Sequence, residues 1–480
     1  MLKDIIKKEI LDHLLSSKFV VMFIICSALI LLSVYMGVGE YLADKKVYDD
    51  DIAWDAMGMA PPNTYGTLLE GMLKTYRAPQ TLGAVAKGVE NAAGRASHVI
   101  LTEVGLSESK YETNPLAAVF GAFDLLFIVK MVLSLFAILL IYDTICGERE
   151  KGTLKLALSN NIPRDRLLLG KAVGGYISLI IPLLVPVLLS LIYLSLHPDI
   201  ALAGEEWQRI GFIFLMFLLY LSVFFCLGLL VSSLTARSST SLIVLLFVWS
   251  VWGLVVPKAS VIIAGMLRPV PVATEVYNQK ISSSNQLSQE LNQSIPQKQQ
   301  ELVAQLNEQI NAAPMEQRQE LVQKLSGEFN KLIQELQSDL ERRQREAEVK
   351  IDRDYQMRKD AQAALAKNIS RVSPASAVTF SVTTLARTGI DDYNRFVKAA
   401  LDYKPVITGW IRTNPDLRDE RGSYKQVDPD TIAGRPQAVI EYENLSQSFV
   451  RIFPDLVSMI VMIALLTGGA YFAFIRCDVR

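Results

Sequence analysis

The residues best suited to chemistry, or to gripping a partner, lie in one run: Ile145-Cys146-Gly147-Glu148-Arg149-Glu150-Lys151-Gly152-Thr153-Leu154. Two carboxylates flank a guanidinium, and groups of this kind form the stronger, charge-assisted hydrogen bonds. Leu154, Leu156 and Leu158 come next, so a charged start leads into an apolar stretch able to lie along a membrane surface. Periodicity alone leaves two readings open. One is a short amphipathic helix offered to a soluble partner; the other is a basic loop that merely obeys the charge rule of membrane topology.

The usual catalytic constellations do not occur. There is no G-x-x-x-x-G-K-[ST] string, and therefore no P-loop for ATP. Neither G-x-S-x-G, H-E-x-x-H nor a dinucleotide fingerprint is found. The three histidines, His13, His98 and His197, are far apart and read as incidental, and the four cysteines form no metal-type spacing. Asp391–Asp392 reads first as the start of a helix before Tyr393, and only second as a cation site. No catalytic residue, no metal and no cofactor of the chain's own is expected. A formal net charge of −1 over 480 residues gives no support to nucleic-acid binding.

The elements that must position the charged run are membrane spans. Mean hydropathy is +0.27, and 49 of the 97 Asp, Glu, Lys and Arg residues fall between Met266 and Val450. Elsewhere, apolar runs of about twenty residues can cross ~30 Å of hydrocarbon as helices. Six are predicted, at 19–39, 125–145, 172–196, 210–234, 238–257 and 456–475. Residues 1–18 carry Leu2, Ile6, Ile10 and Leu14 along one side, the pattern of a helix lying in the interface. The fold class expected is an all-α membrane protein.

Basic residues set the orientation. Arg149, Lys151, Lys155, Arg164, Arg166 and Lys171 crowd the 146–171 connection, Arg237 follows the fourth span, and Arg476 and Arg480 end the chain. Both termini are therefore expected in the cytoplasm. Two insertions, 40–124 and 258–455, are expected on the extracytoplasmic side, which is the periplasm if the cell is Gram-negative. The first reads as mixed helix with a strand or two. In the second, apolar residues at spacings of three and four (Leu302, Leu306, Ile310, then Leu321, Leu325, Phe329, Leu332, Leu336, Leu340) predict a helical hairpin or coiled-coil arm over about 281–371, broken near Asn311–Pro314. A loop-rich lobe is expected over 372–450. Within the spans, Lys130 reads either as a snorkelling or Asp124-paired charge or as part of a substrate path. Pro182 and Pro186 are expected to kink the third span for gating.

The 145–171 string resembles the signature of type-2 ABC transporter permeases, E-R-E-x-G-T-L followed by a Ser…Pro-x-x-x-L-L-x-G-K-like segment. The matching positions are Glu148, Arg149, Glu150, Gly152, Thr153 and Leu154, then Ser159, Pro163, Leu168, Leu169, Gly170 and Lys171. The chain is similar to a subgroup with a long insertion before the last span. The resemblance implies a permease that pairs with a second permease, homodimeric or heterodimeric, and with two ATPase subunits that hold ATP and magnesium in the cytoplasmic (inner) membrane. It implies that Glu148–Leu158 is a coupling helix seated in a groove of the ATPase, with Glu148 and Glu150 facing basic groups there, Gly152 turning, the leucines anchoring and Pro163 leading into the third span. ATP-driven export is the preferred function. The alternative is a mechanotransmission complex whose helical arm acts on an extracytoplasmic partner protein.

Overall fold

The computed structural model describes residues 2–56, 73–99, 104–113, 121–159, 163–200, 202–312, 318–414 and 434–476. Within the first insertion, Pro61, Pro62, Ile100 and Leu101 lie outside them. Among the described residues, six helices are long and apolar enough to cross a membrane: Ser17–Ala53, Leu125–Glu150, Arg164–Ser195, Gly204–Leu234, Ser238–Leu267 and Leu445–Arg476. The chain divides into two compact units, residues 1–257 with 371–480, and residues 258–370.

The first unit is the helical bundle. Its core gathers Phe136, Ile138, Leu183, Phe217, Tyr220, Phe224 and Met459, all at most 1% exposed. The fourth span is the most enclosed, and the fifth and sixth leave most of their apolar surface uncovered. The first helix does not stop at Gly39 as expected; it continues without a break from Ser17 to Ala56. No proline intervenes, and Tyr41 to Lys46 are compatible with helix, so nothing ends it at the membrane boundary. Its far end is pinned by charge: Glu40 pairs with Lys87, and Asp44 pairs with Arg95 and with Lys110, the latter two at 2.7 Å.

The first insertion carries a three-stranded antiparallel sheet in the order β1 (Leu73–Tyr76), β2 (Ala96–Val99), β3 (Val104–Leu106). Its register sets Tyr76 opposite Ala96 and Ser97 opposite Leu106. The expected lobe also differs from the expectation of loops. It opens with the helix Pro374–Leu385, capped by Ser373, whose hydroxyl accepts from the Ala375 amide at 3.2 Å. Nearly all of its residues are buried, and it packs on the fourth and sixth spans. Its twelve residues are small or apolar on every side, which suits a helix enclosed all round, while being too few to span. A second helix, Ile390–Thr413, begins with Asp391 and Asp392 in its first turn.

Two spans contain a π-helical turn, Val129–Leu133 in the second and Val251–Val255 in the fifth. Such a turn frees carbonyls from the helical ladder, and inside a membrane they need another donor. Tyr220 and Ser134 hydroxyls donate to the Lys130 carbonyl at 2.7 and 2.6 Å, and Ser373 donates to that of Trp252.

The second unit is a helical hairpin, Ala273–Ala312 and Arg318–Ser370. The arm therefore starts some residues before the expected 281. Lys280 pairs with Asp352 at 2.7 Å, and the Gln344 amide donates to Ser284 and Ser288 hydroxyls. These pairings run antiparallel along the two helices. Phe329, Leu332, Leu336 and Leu340 are half-buried; the side chains of Leu302, Leu306, Ile310, Leu321 and Leu325 lie outside the described residues.

Candidate coupling site at one end of the bundle

The charged run folds as two short helices, Cys146–Glu150 and Thr153–Ser159, with Lys151–Gly152 between them. The single helix expected over Glu148–Leu158 is thus broken. Gly152 adopts φ +75°, a left-handed conformation that costs an L-residue with a side chain about 1–2 kcal/mol. It stops the first helix and re-aims the second.

Each charge of the Glu148-Arg149-Glu150 triplet has a partner within the chain. Glu148 accepts from the Lys171 ammonium at 2.7 Å. Arg149 donates to the Thr235 carbonyl at 3.1 Å, at the end of the fourth span. Glu150 accepts from both the amide and the hydroxyl of Ser238, at 3.1 and 2.9 Å, where the fifth span begins. That contact caps an otherwise unmet helix N-terminus with a negative charge. Ser232 adds a further tie, its hydroxyl accepting from the amides of Ile145 and Cys146. The triplet therefore fastens the turn after the second span to the third, fourth and fifth spans.

Lys171 is the hub. It is 3% exposed and also lies 3.4 Å from both carboxylate oxygens of Glu9 in the N-terminal helix Leu2–Leu14. Burial pushes the Glu9 carboxyl above the ordinary range, with Lys171 opposing the shift. His13 stands 3.7 Å from Glu9; burial first and Lys171 second hold its imidazole below the ordinary value. The close approach of this helix to the third span rests on Gly170 and Gly174. A Cβ at Gly170 would meet Ile5 at 2.5 Å, and one at Gly174 would meet Glu9 at 2.7 Å.

Leu154 is buried at 1%, and its neighbours in the core include Leu167 and Leu168. Leu156 is 67% exposed, and Lys151, Thr153, Lys155 and Ser159 are exposed around it. Of the three leucines expected as anchors, Leu154 is buried and Leu156 faces outward; the Leu158 side chain lies outside the described residues. Pro163, in extended backbone, immediately precedes the helix Arg164–Ser195.

The remaining candidates lie apart from this site. Lys130 is half-buried, and although it makes no ion pair within 4 Å among the described residues, its charge and that of Asp124 act on each other. Asp124 also accepts from the amides of Phe127 and Lys87 at 2.8 and 2.9 Å; burial pushes its carboxyl up. Pro182 and Pro186 are buried inside a third-span helix that runs unbroken from Arg164 to Ser195. Among the described residues no group of three or more His, Cys, Asp or Glu could hold a metal ion.

Sequence reasoning missed Glu9, Lys171 as a hub, and Ser238. Glu9 had a signal: it lies four residues after Ile5 and three after Ile6, so it interrupts the apolar face of its own helix. A charge in that position calls for a buried partner.

No curated protein matches the chain. The model of the ABC-2 family transporter proteins matches residues 4–479, nearly the entire sequence. With six helices long and apolar enough to cross a membrane among the described residues, and a family match over nearly the entire sequence, the chain belongs to the ABC-2 transporter family, as a multi-pass permease subunit of the kind that works with ATPase subunits.

Proposed function

We propose that this chain is the membrane half-unit of an ATP-driven exporter in the cytoplasmic membrane. It pairs with a second permease, and two ATPase subunits supply the nucleotide and magnesium chemistry from the cytoplasm. Both termini and the Cys146–Ser159 segment lie on the cytoplasmic side; the residues 40–124 and 258–455 lie outside. The long stretch before the last span groups the chain with the permeases that carry a large insertion there.

One observation carries the coupling assignment: the short helix Thr153–Ser159 offers Leu156 to solvent beside exposed Lys151, Lys155 and Ser159, on a base where Glu148, Arg149 and Glu150 each have a partner within the chain. An isolated exposed leucine needs no explanation, but this one sits on a rigid, basic tip. The contact with the ATPase is therefore assigned to this tip, and Glu148, Arg149 and Glu150 become positioning residues that transmit its movement to three spans. Replacing Lys155 by Glu together with Leu156 by Asp should abolish co-purification of the ATPase subunits while the permease still inserts. Unaltered assembly and ATPase stimulation in that variant would refute the assignment.

The second reading, mechanotransmission, is favoured by the hairpin alone. Helices of 40 and 53 residues extend about 60 and 80 Å at 1.5 Å per residue, and their sequences are rich in Gln, Glu, Lys and Arg. Spin labels across the hairpin that change separation when ATP is added would support this reading. Unchanged separations alongside ATP-dependent substrate efflux would support export.

A further inference from the structure

Near the end of the bundle remote from the Cys146–Ser159 segment, the first four spans enclose a cavity of about 250 Å³. Its wall is aliphatic and aromatic, drawn from Val34, Leu125, Leu184 to Leu194 and Trp207 to Phe217, with one hydroxyl, Ser190. That hydroxyl is the informative atom. Ser190 is 3% exposed, and its Oγ has no hydrogen-bond partner among the described residues. On the same helix Ser178 turns its Oγ back to the Gly174 carbonyl at 3.0 Å, so Ser190 leaves unused a bond that helix geometry offers. Buried polar groups in an apolar medium are costly without a partner.

Water is poorly served by this wall, because an internal water needs two to four polar partners and the side chains lining it offer only the Ser190 hydroxyl and the indole N–H of half-exposed Trp207. An empty cavity forfeits dispersion contacts on every side. The surrounding medium offers hydrocarbon instead. Leu188 and Trp207 line the cavity yet are half exposed, so the opening faces sideways toward the bilayer. Gly211 contributes space: a Cβ there would meet nothing within 4 Å. Depth also agrees. The apolar part of the third helix, residues 172–196, is about 37 Å long, and centring it on ~30 Å of hydrocarbon places Ser190, about 9 Å before its end, ~5 Å inside the nearer boundary, a few ångströms below the level where ester groups of lipids lie. Trp207, at the same end, is the residue type that settles at that level.

We propose that this cavity binds one acyl chain of a membrane phospholipid, whose ester carbonyl accepts a hydrogen bond from Ser190 Oγ. The site differs from a general lipid-facing groove in being walled by four spans and in having a buried hydroxyl, set near the level where a chain ends and its ester begins.

The test uses the full-length protein reconstituted with a phosphatidylethanolamine carrying a diazirine midway along one acyl chain. After irradiation, adducts are mapped by mass spectrometry. They are expected to concentrate on residues 184–194 and 207–217. Gly211→Leu, which fills the cavity, should reduce those adducts roughly tenfold and leave adducts on the uncovered fifth span, around Ile243 and Phe247, unchanged. Ser190→Ala should reduce them roughly fivefold with the ester lipid and hardly at all with a diether analogue lacking the carbonyl. Adducts spread evenly over every exposed span and indifferent to Gly211→Leu would overturn the site. Equal effects of Ser190→Ala on ester and ether lipids would overturn the carbonyl contact. Adducts displaced by a co-purified molecule that is not a phospholipid would overturn the lipid as occupant.

Discussion

The two ends of the bundle are both held by buried charge, but they are assembled in contrasting ways. At the coupling end, three consecutive residues reach three different spans: Glu148 to Lys171, Arg149 to Thr235 and Glu150 to Ser238. At the far end arginines from distant parts of the sequence do the gathering, with Arg209 at the centre. Arg209, 1% exposed, bonds Glu205 at 2.8 Å, the Leu385 and Glu443 carbonyls at 2.9 and 2.8 Å, and the Ser448 hydroxyl at 3.2 Å. Arg387, held at φ +57°, adds bonds to Glu205 and the Glu443 carbonyl, both at 2.9 Å. Arg451 closes the group on Asp391 and Glu443, and Arg371 meets Asp455 at 2.6 Å. One end is a local motif reaching outward; the other is a convergence of residues far apart in the sequence.

The difference teaches how load is distributed. Charges in a tripeptide can each be lost separately, because each serves one joint. A buried guanidinium that satisfies carbonyls from two separate elements serves several joints together, and its removal strands all of them. The far end should therefore be the brittle one, and the coupling end the adjustable one.

Replacing Arg209 by Ala is the strongest way to break this contrast. It should cost about 3–5 kcal/mol, read as a large loss in thermal or denaturant stability in micelles, with Arg209→Lys rescuing little because one ammonium cannot reach four acceptors. If Arg209→Ala were milder than any coupling-end variant, the far end would not be the brittle one. Next comes Lys171→Met, which leaves Glu9 and Glu148 without their cation. About 1–3 kcal/mol of stability should be lost, together with ATPase stimulation. Adding Glu148→Gln to Lys171→Met should recover part of the stability but not the stimulation.

Gly152→Val should cost about 1–2 kcal/mol through its positive φ, and should weaken ATPase assembly more than it weakens the fold, since only the exposed tip is re-aimed. The smallest effect concerns pH. His13 takes up a proton less readily in the folded protein than in the unfolded chain, because burial and Lys171 disfavour the imidazolium while Asp12 and Asp143 partly oppose them; Glu9 faces it as well. Its contribution is complete above the ordinary value of 6.5 and is lost as pH falls through the lowered one. The wild type should thus lose stability below pH 6.5 more steeply than His13→Gln. Parallel melting curves for the two proteins from about pH 7 downward would remove His13 from the account.

How much of this was legible in the chain varied with distance along it. The spans could be read because about twenty apolar residues in succession have few other fates. The run from Glu148 to Leu154 could be singled out because its charges are adjacent, and a hairpin with a break near Asn311–Pro314 was visible because apolar spacing changes there. Its partners could not be read. Nothing near Glu150 indicates that Ser238, 88 residues away, will need a cap, and nothing near Arg209 points to Leu385 or Glu443. The helix Pro374–Leu385 was hidden for a related reason: small residues on all sides look like a linker until other helices enclose them.

Composition, charge asymmetry and local spacing by themselves determined that this is a helical membrane protein with six spans, a charged turn between the second and third, and a polar hairpin before the last. Those properties depend on hydrophobic transfer and on helical periodicity, both of which act over neighbouring residues. Only the tertiary structure decided that each charge of the triplet finds a partner within the chain while Leu156 is left exposed, that Glu9 and Lys171 join two helices, and that buried Arg209 and its neighbouring arginines gather the far end. Those outcomes depend on which buried polar groups meet in space, because a charge in the interior is tolerable only where folding brings its partner to it.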